Sequence, residues 1–108
     1  MKNKKVKKVR LRVIQQNKIT GHPSYPFSQT NNSVKSVGFT HNSDEKHGKK
    51  IKLKHNINPN DKGNCYVKVT IEKQKSKDYV EKAKFKNHKI HPEDQPTINS
   101  IIRKNKKR

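Results

Sequence analysis

Six histidines in a chain of 108 residues are the side chains best suited to acid–base chemistry at neutral pH, because imidazole titrates near it. His22 lies in the turn Thr20-Gly21-His22-Pro23-Ser24, and His41 ends the segment Gly38-Phe39-Thr40-His41. Each adjoins the end of a β-segment, where a side chain can be held in place. Tyr25, Thr40 and Tyr66 add hydroxyls at similar positions. Groups of this kind suit cleavage of RNA by its own 2′-hydroxyl. That reaction needs a base, an acid and cations around the phosphate, and neither metal nor cofactor. His22 and His41 are therefore the histidines singled out for catalysis. A metal is not expected. The spacings His41-x5-His47 and His88-x2-His91, with the lone Cys65, match no zinc pattern. Eight acidic residues are also few for a metal-dependent nuclease, which usually needs several carboxylates. No Ser-His-Asp set, Gly-rich phosphate loop or HExxH is legible.

The charge names the partner class. There are 28 basic and 8 acidic residues, a formal charge of +20, and the first acid is Asp44. A compact body at that charge repels itself, so a polyanion must offset it. Nucleic acid comes first, RNA ahead of DNA. An acidic protein partner would use the same surface. A membrane ranks last, because no segment joins a basic face to a broad apolar one. One cysteine allows no intramolecular disulfide, which suits a cytoplasmic location.

The elements that must position these groups are short. Residues 1–8 form a basic arm, expected to be mobile, residues 9–104 a single nucleic-acid-binding domain, and residues 105–108 a basic tail. Only 26% of residues are hydrophobic, so the core must be small. Val9-Arg10-Leu11-Arg12-Val13 alternates as a strand does. Val6, Val9 and Val13 also fit helical spacing, but the β-branched content favours strand. Residues 25–29 and 34–40 read as a hairpin around Thr30-Asn31-Asn32-Ser33, with Val37 and Phe39 on one face. Lys50-Ile51-Lys52-Leu53-Lys54 alternates with Ile51 and Leu53 inward. Residues 56–64 are turn formers. Cys65, Val67, Val69 and Ile71 then share one face of the clearest strand, with Tyr66 on the other. Tyr79, Val80 and Ala83 leave a turn or two of helix open. Pro92-Glu93-Asp94 opens a terminal helix with Asp94 as its cap, and Ile98, Ile101 and Ile102 form its apolar stripe.

The expectation is an α+β fold, a small antiparallel sheet of four to five strands with a short C-terminal helix and basic, partly disordered ends. Arg10, Arg12, Lys50, Lys52, Lys54 and Lys68 would share the sheet's outer surface as a phosphate-tracking face. Tyr66 would be the aromatic available for stacking on a base, and Phe27 a core residue.

Gly21-His22-Pro23-Ser24-Tyr25, Ser36-Val37-Gly38-Phe39-Thr40-His41, Asn58-Pro59-Asn60-Asp61 and Tyr66-Val67 resemble a layout found in small proteins of Gram-positive phages and mobile elements. Those proteins look like members of the barnase/EndoU/colicin/RelE-like group of metal-independent ribonucleases. Over residues 18–104 the resemblance implies a short N-terminal helical part, a four-stranded antiparallel sheet and a toxin or mobile-element ribonuclease. It implies His22, Tyr25, Thr40, His41 and Tyr66 as the candidate catalytic residues, with His41 a general acid or base and Thr40 and Tyr66 positioning phosphate or base. The alternative is a non-catalytic RNA- or DNA-binding module, perhaps one associated with the ribosome.

Overall fold

A two-residue turn builds the centre of the fold. β2 (Pro23–Thr30) and β3 (Ser33–Thr40) pair antiparallel around Asn31-Asn32. Asn31 takes φ 52, a left-handed conformation that Asn tolerates better than most residues. The register slips between Pro26 and Ser28, a bulge where proline has no N–H to give the ladder. The computed structural model of the chain describes residues 6–106.

Around this hairpin lie β1 (Gln15–Asn17), β4 (Lys50–Lys52), β5 (Tyr66–Lys68), β6 (Glu72–Lys75) and β7 (Tyr79–Val80). The order is β4-β5-β3-β2-β1-β7, with β6 pairing the other end of β3. All the pairings are antiparallel. α1 (Gln95–Lys106) packs Ile98, Ile101 and Ile102 into one core with Tyr25, Phe27, Val37, Phe39, Leu53, Ile57, Cys65 and Val67. A second, smaller cluster joins Val9, Val34 and Tyr79.

The class is α+β, but the sheet has seven strands among the described residues, more than the four to five expected. The excess comes from segments too short to show a period. Three of them changed character. Residues 9–13 form no strand: Arg12 turns at φ 65, and its N–H donates to the Pro26 carbonyl at 2.7 Å. No helix precedes β1 among the described residues, so the N-terminal helical part implied by the resemblance is missing there. Residues 73–87 hold β6, β7 and two single 3₁₀ turns instead of an α-helix. Tyr79 is wholly buried, its hydroxyl 2.7 Å from Ser36 Oγ.

The expected strand at 65–71 is broken in two. Val67 lies opposite Phe39 and Glu72 opposite Ser36. Four residues (68–71) therefore face two on β3 (Val37 and Gly38), and the chain kinks outward. In residues 50–54 the expected inward pattern holds only for Leu53, just past β4 and 4% exposed, whereas Ile51 at the sheet edge is 40% exposed. Residues 1–5 and 107–108 of the expected basic ends lie outside the described residues. Lys7, in the same arm, is tied down: its carbonyl accepts from Gln29 Nε2 at 2.8 Å, and its ammonium donates to the Tyr79 carbonyl.

Asp94 does not cap α1 with its side chain. Its carboxylate, in a residue 2% exposed, accepts the backbone N–H groups of Lys54 (2.8 Å) and His55 (2.9 Å), locking the residues after β4 to the start of the helix. Asp94→Ala is expected to lower stability by about 1–3 kcal/mol, because two partly buried amides lose a charged acceptor. Chemical denaturation with an unchanged m-value would register it. Asp94→Asn, which keeps one acceptor, should lose less.

Candidate nucleic-acid interface

β3, β4 and β5 set the geometry of the site on the face opposite the main core. Thr40, Tyr66 and Lys52 lie in one row across the strands. Lys68 and Lys50 oppose each other in the adjacent row. Period-two alternation puts all five side chains on the same face. A pocket of about 270 Å³ opens over this face, walled by His22, Thr40, Asn42, His47, Gly48, Lys49, Lys50, Lys68 and Thr70. Two imidazoles and three ammonium groups line it, and no carboxylate does. Low-dielectric walls of one sign focus the field on an anion.

The loop after β3 closes one side of the pocket. Thr40 Oγ1 accepts the Asn42 N–H at 3.1 Å, which leaves its hydroxyl proton free for a ligand. Asn42 and Asp44 each accept an N–H two residues ahead, and Lys50 Nζ reaches back to the Asn42 carbonyl at 2.8 Å. These Asx turns give a polar loop a defined shape and place His47 on the wall.

Beneath the pocket lies a carboxylate that sequence reasoning passed over. Glu72 accepts from Lys68 Nζ (3.0 Å), Ser24 Oγ (3.1 Å) and Asn17 Nδ2 (3.1 Å). Its side chain is 11% exposed and that of Lys68 25%. It lies flat against Gly38, where an added Cβ would stand 2.6 Å from Oε2 and 2.8 Å from Cδ. The kink before β6 brings it there. Glu72 thus fixes Lys68, and with it one wall of the pocket. The available signal was its isolation: it is the one acid among Lys68, Lys73 and Lys75. His47 and Lys49 were also missed, because their loop carries no period.

The predicted site residues divide. His22 and Thr40 meet in the pocket. Burial, and then the charge of Lys68, hold the His22 imidazole below its ordinary pKa, so it is neutral at pH 7. His41 shares only a crevice of about 30 Å³ with His22, Thr40, Cys65 and His88. Its ring is turned to the loop at 61–64, donating from Nδ1 to the Asn64 carbonyl at 3.1 Å, with Nε2 3.7 Å from Asp61. Tyr66 stands half-buried one row beyond the pocket, beside Lys52. Tyr25 is not with them: it is 7% exposed within the main core.

The predicted basic face also divides. Lys50 and Lys68 line the pocket and Lys52 extends the same face. Lys54 follows the end of β4, beside the loop at 55–64. Arg10 and Arg12 are off the sheet, because their segment is not a strand. They border a separate cleft with Lys82, Lys86 and Lys89. No helix among the described residues is long and apolar enough to cross a membrane.

His55, His91 and Glu93 form the one cluster with metal-ligand atoms in mutual reach among the described residues, all within 4.8 Å. It fits a metal poorly. His91 Nδ1 already accepts the Glu93 N–H at 3.1 Å, and His55 Nε2 donates to Glu93 Oε1 at 2.9 Å. Comparison of the chain with family models, curated proteins and solved structures finds no match.

Proposed function

We propose that the protein binds RNA and cleaves it without a metal, in the pocket between His22 and His47. The observation that carries this reading is the pocket's composition: two imidazoles, two threonine hydroxyls and three lysines, with no carboxylate in the wall. Neutral His22 takes the proton of the 2′-hydroxyl, and the 2′-oxygen attacks phosphorus. The 5′-oxygen leaves with a proton donated by His47. A 2′,3′-cyclic phosphate and a 5′-hydroxyl result. Lys50 and Lys68 hold the non-bridging oxygens, where charge grows in the transition state. The Thr40 hydroxyl donates to the same group. His41 drops out of the proton transfer, and Tyr25 out of the site. The toxin or mobile-element setting implied by the resemblance belongs with this proposal.

The test is incubation with RNA in excess EDTA. Cleavage to products ending in cyclic phosphate is expected, and intact RNA with purified wild type would defeat the catalytic reading. Binding should weaken steeply with salt, with a log–log slope of roughly −0.7 for each phosphate contacted on a single strand. Lys50→Ala and Lys68→Ala should each flatten it by about that amount. Salt-sensitive binding without cleavage would leave the second reading, a binding module using Lys50, Lys52, Lys68 and half-buried Tyr66 as a phosphate and stacking surface.

A further inference from the structure

The Arg12 cleft lies between residues 10–14 and residues 81–90 and has a volume of about 480 Å³. Its floor is apolar, formed in part by Ile14, Tyr25 and Phe85. Its rim carries Arg10, Arg12, Lys82, Lys86 and Lys89 against a single acid, Glu81. That acid is consumed by Arg10, whose Nε and Nη2 reach its two oxygens at 2.8 and 2.5 Å. Arg12, Lys82, Lys86 and Lys89 have no carboxylate partner among the described residues. Arg12 also holds a left-handed backbone that a long side chain rarely adopts.

Two further observations tie this cleft to the pocket. His88 lies on the cleft wall and also on the wall of the small crevice, and His22 lines both the crevice and the pocket. Each hollow therefore neighbours the next, with one histidine side chain common to both walls. His88 Nδ1, moreover, is buried without a hydrogen-bonding partner among the described residues. Buried polar atoms in folded proteins nearly always have one, which marks this wall as polar and unsatisfied.

We infer that the Arg12 cleft is a second nucleotide subsite, which holds one unpaired base of an RNA strand whose neighbouring phosphates lie at the His22 pocket. The inference rests on the RNA reading above and adds its substrate class, single-stranded RNA longer than a trinucleotide. A cleft of this size accommodates one nucleotide. The apolar floor takes the base, and the unpaired cations on the rim take the phosphates on either side. A duplex cannot enter, because its bases are stacked and paired.

The test is fluorescence anisotropy with the full chain and non-cleavable 2′-O-methyl oligonucleotides: a single-stranded nonamer, a trinucleotide and a nonamer duplex. The nonamer should bind about tenfold or more tightly than the trinucleotide and the duplex. Ala83→Trp fills the cleft at an exposed lining position without removing a charge. It should abolish most of that advantage and leave trinucleotide affinity within about twofold. The combination R12A/K86A/K89A should do the same. If the charge variant weakens the nonamer but Ala83→Trp does not, the cleft attracts phosphate without holding a base, and the inference falls. It falls too if the duplex binds as well as the single strand, or if only an acidic protein competes at the cleft. Failure of wild type to bind any of the oligonucleotides would instead overturn the RNA reading itself. Circular dichroism of both variants separates a lost subsite from lost folding.

Discussion

His22→Ala is expected to slow RNA cleavage by about 10²–10⁴-fold, the usual contribution of a positioned proton-transfer group, with little change in stability. His22 is exposed as a residue and makes no side-chain hydrogen bond among the described residues, so its removal leaves no buried group unpaired. Its role fixes the sign of the pH dependence. Burial and Lys68 hold the imidazole below 6.5, so the free protein has its base ready at and below neutrality. The acidic limb of kcat/KM should therefore fall below pH 6.5 and vanish in the variant. Linkage gives the same direction for folding. A histidine with a depressed folded pKa contributes stability above its unfolded value, and that stability is lost as pH falls through the folded one. His88, also depressed by burial, adds to that loss, so the protein should melt at lower temperature on acidification through this window. His41→Ala should keep cleavage within about tenfold of wild type. A collapse in His41→Ala with full activity in His22→Ala would reverse the assignment.

The second large effect concerns Glu72 and Gly38. Glu72→Ala removes the shared acceptor of Lys68, Ser24 and Asn17, the last two 0% exposed. A loss of about 3 kcal/mol or more is expected, toward the lower end for a broken buried pair because Lys68 keeps some contact with water. That is a large share of a small domain's stability, typically about 5–15 kcal/mol. Gly38→Ala should approach the same loss, since the new methyl occupies the space of the carboxylate. Glu72 is the far end of a flexible side chain, but three hydrogen bonds hold it in place. In the double variant the three atoms nearest the methyl, all of Glu72, are gone, so the two losses should not add. Strict additivity in urea denaturation would mean that Gly38 matters for another reason. Both variants should also lower RNA affinity, because an untethered Lys68 no longer holds its place in the pocket wall.

Much of the scaffold was legible because local rules decide it. The hairpin 23–40, buried Val37 and Phe39, the loop at 56–64 and the isoleucine stripe of α1 all follow from alternation, turn formers and helical spacing within one segment. Where one segment competes with another, the sequence misled. Residues 9–13 alternate perfectly, yet the chain turns at Arg12 to bond Pro26. This carries two of the six expected face cations away to a different cleft. The alternation of 65–71 continues through a kink that only pairing with β3 reveals.

By itself the sequence determined the large excess of cations, which no fold can hide. It also determined that acid–base chemistry here would rest on histidine, because carboxylates are scarce. Only the tertiary structure decided which groups meet. It joined His22, from before β2, with Thr40, His47, Lys50 and Lys68, and it turned His41 toward Asp61. It gave one of those scarce carboxylates, Glu72, the task of fixing a lysine. The reason is physical: charge and side-chain chemistry are properties of residues, whereas proximity comes from strand register and one two-residue slippage in the ladder.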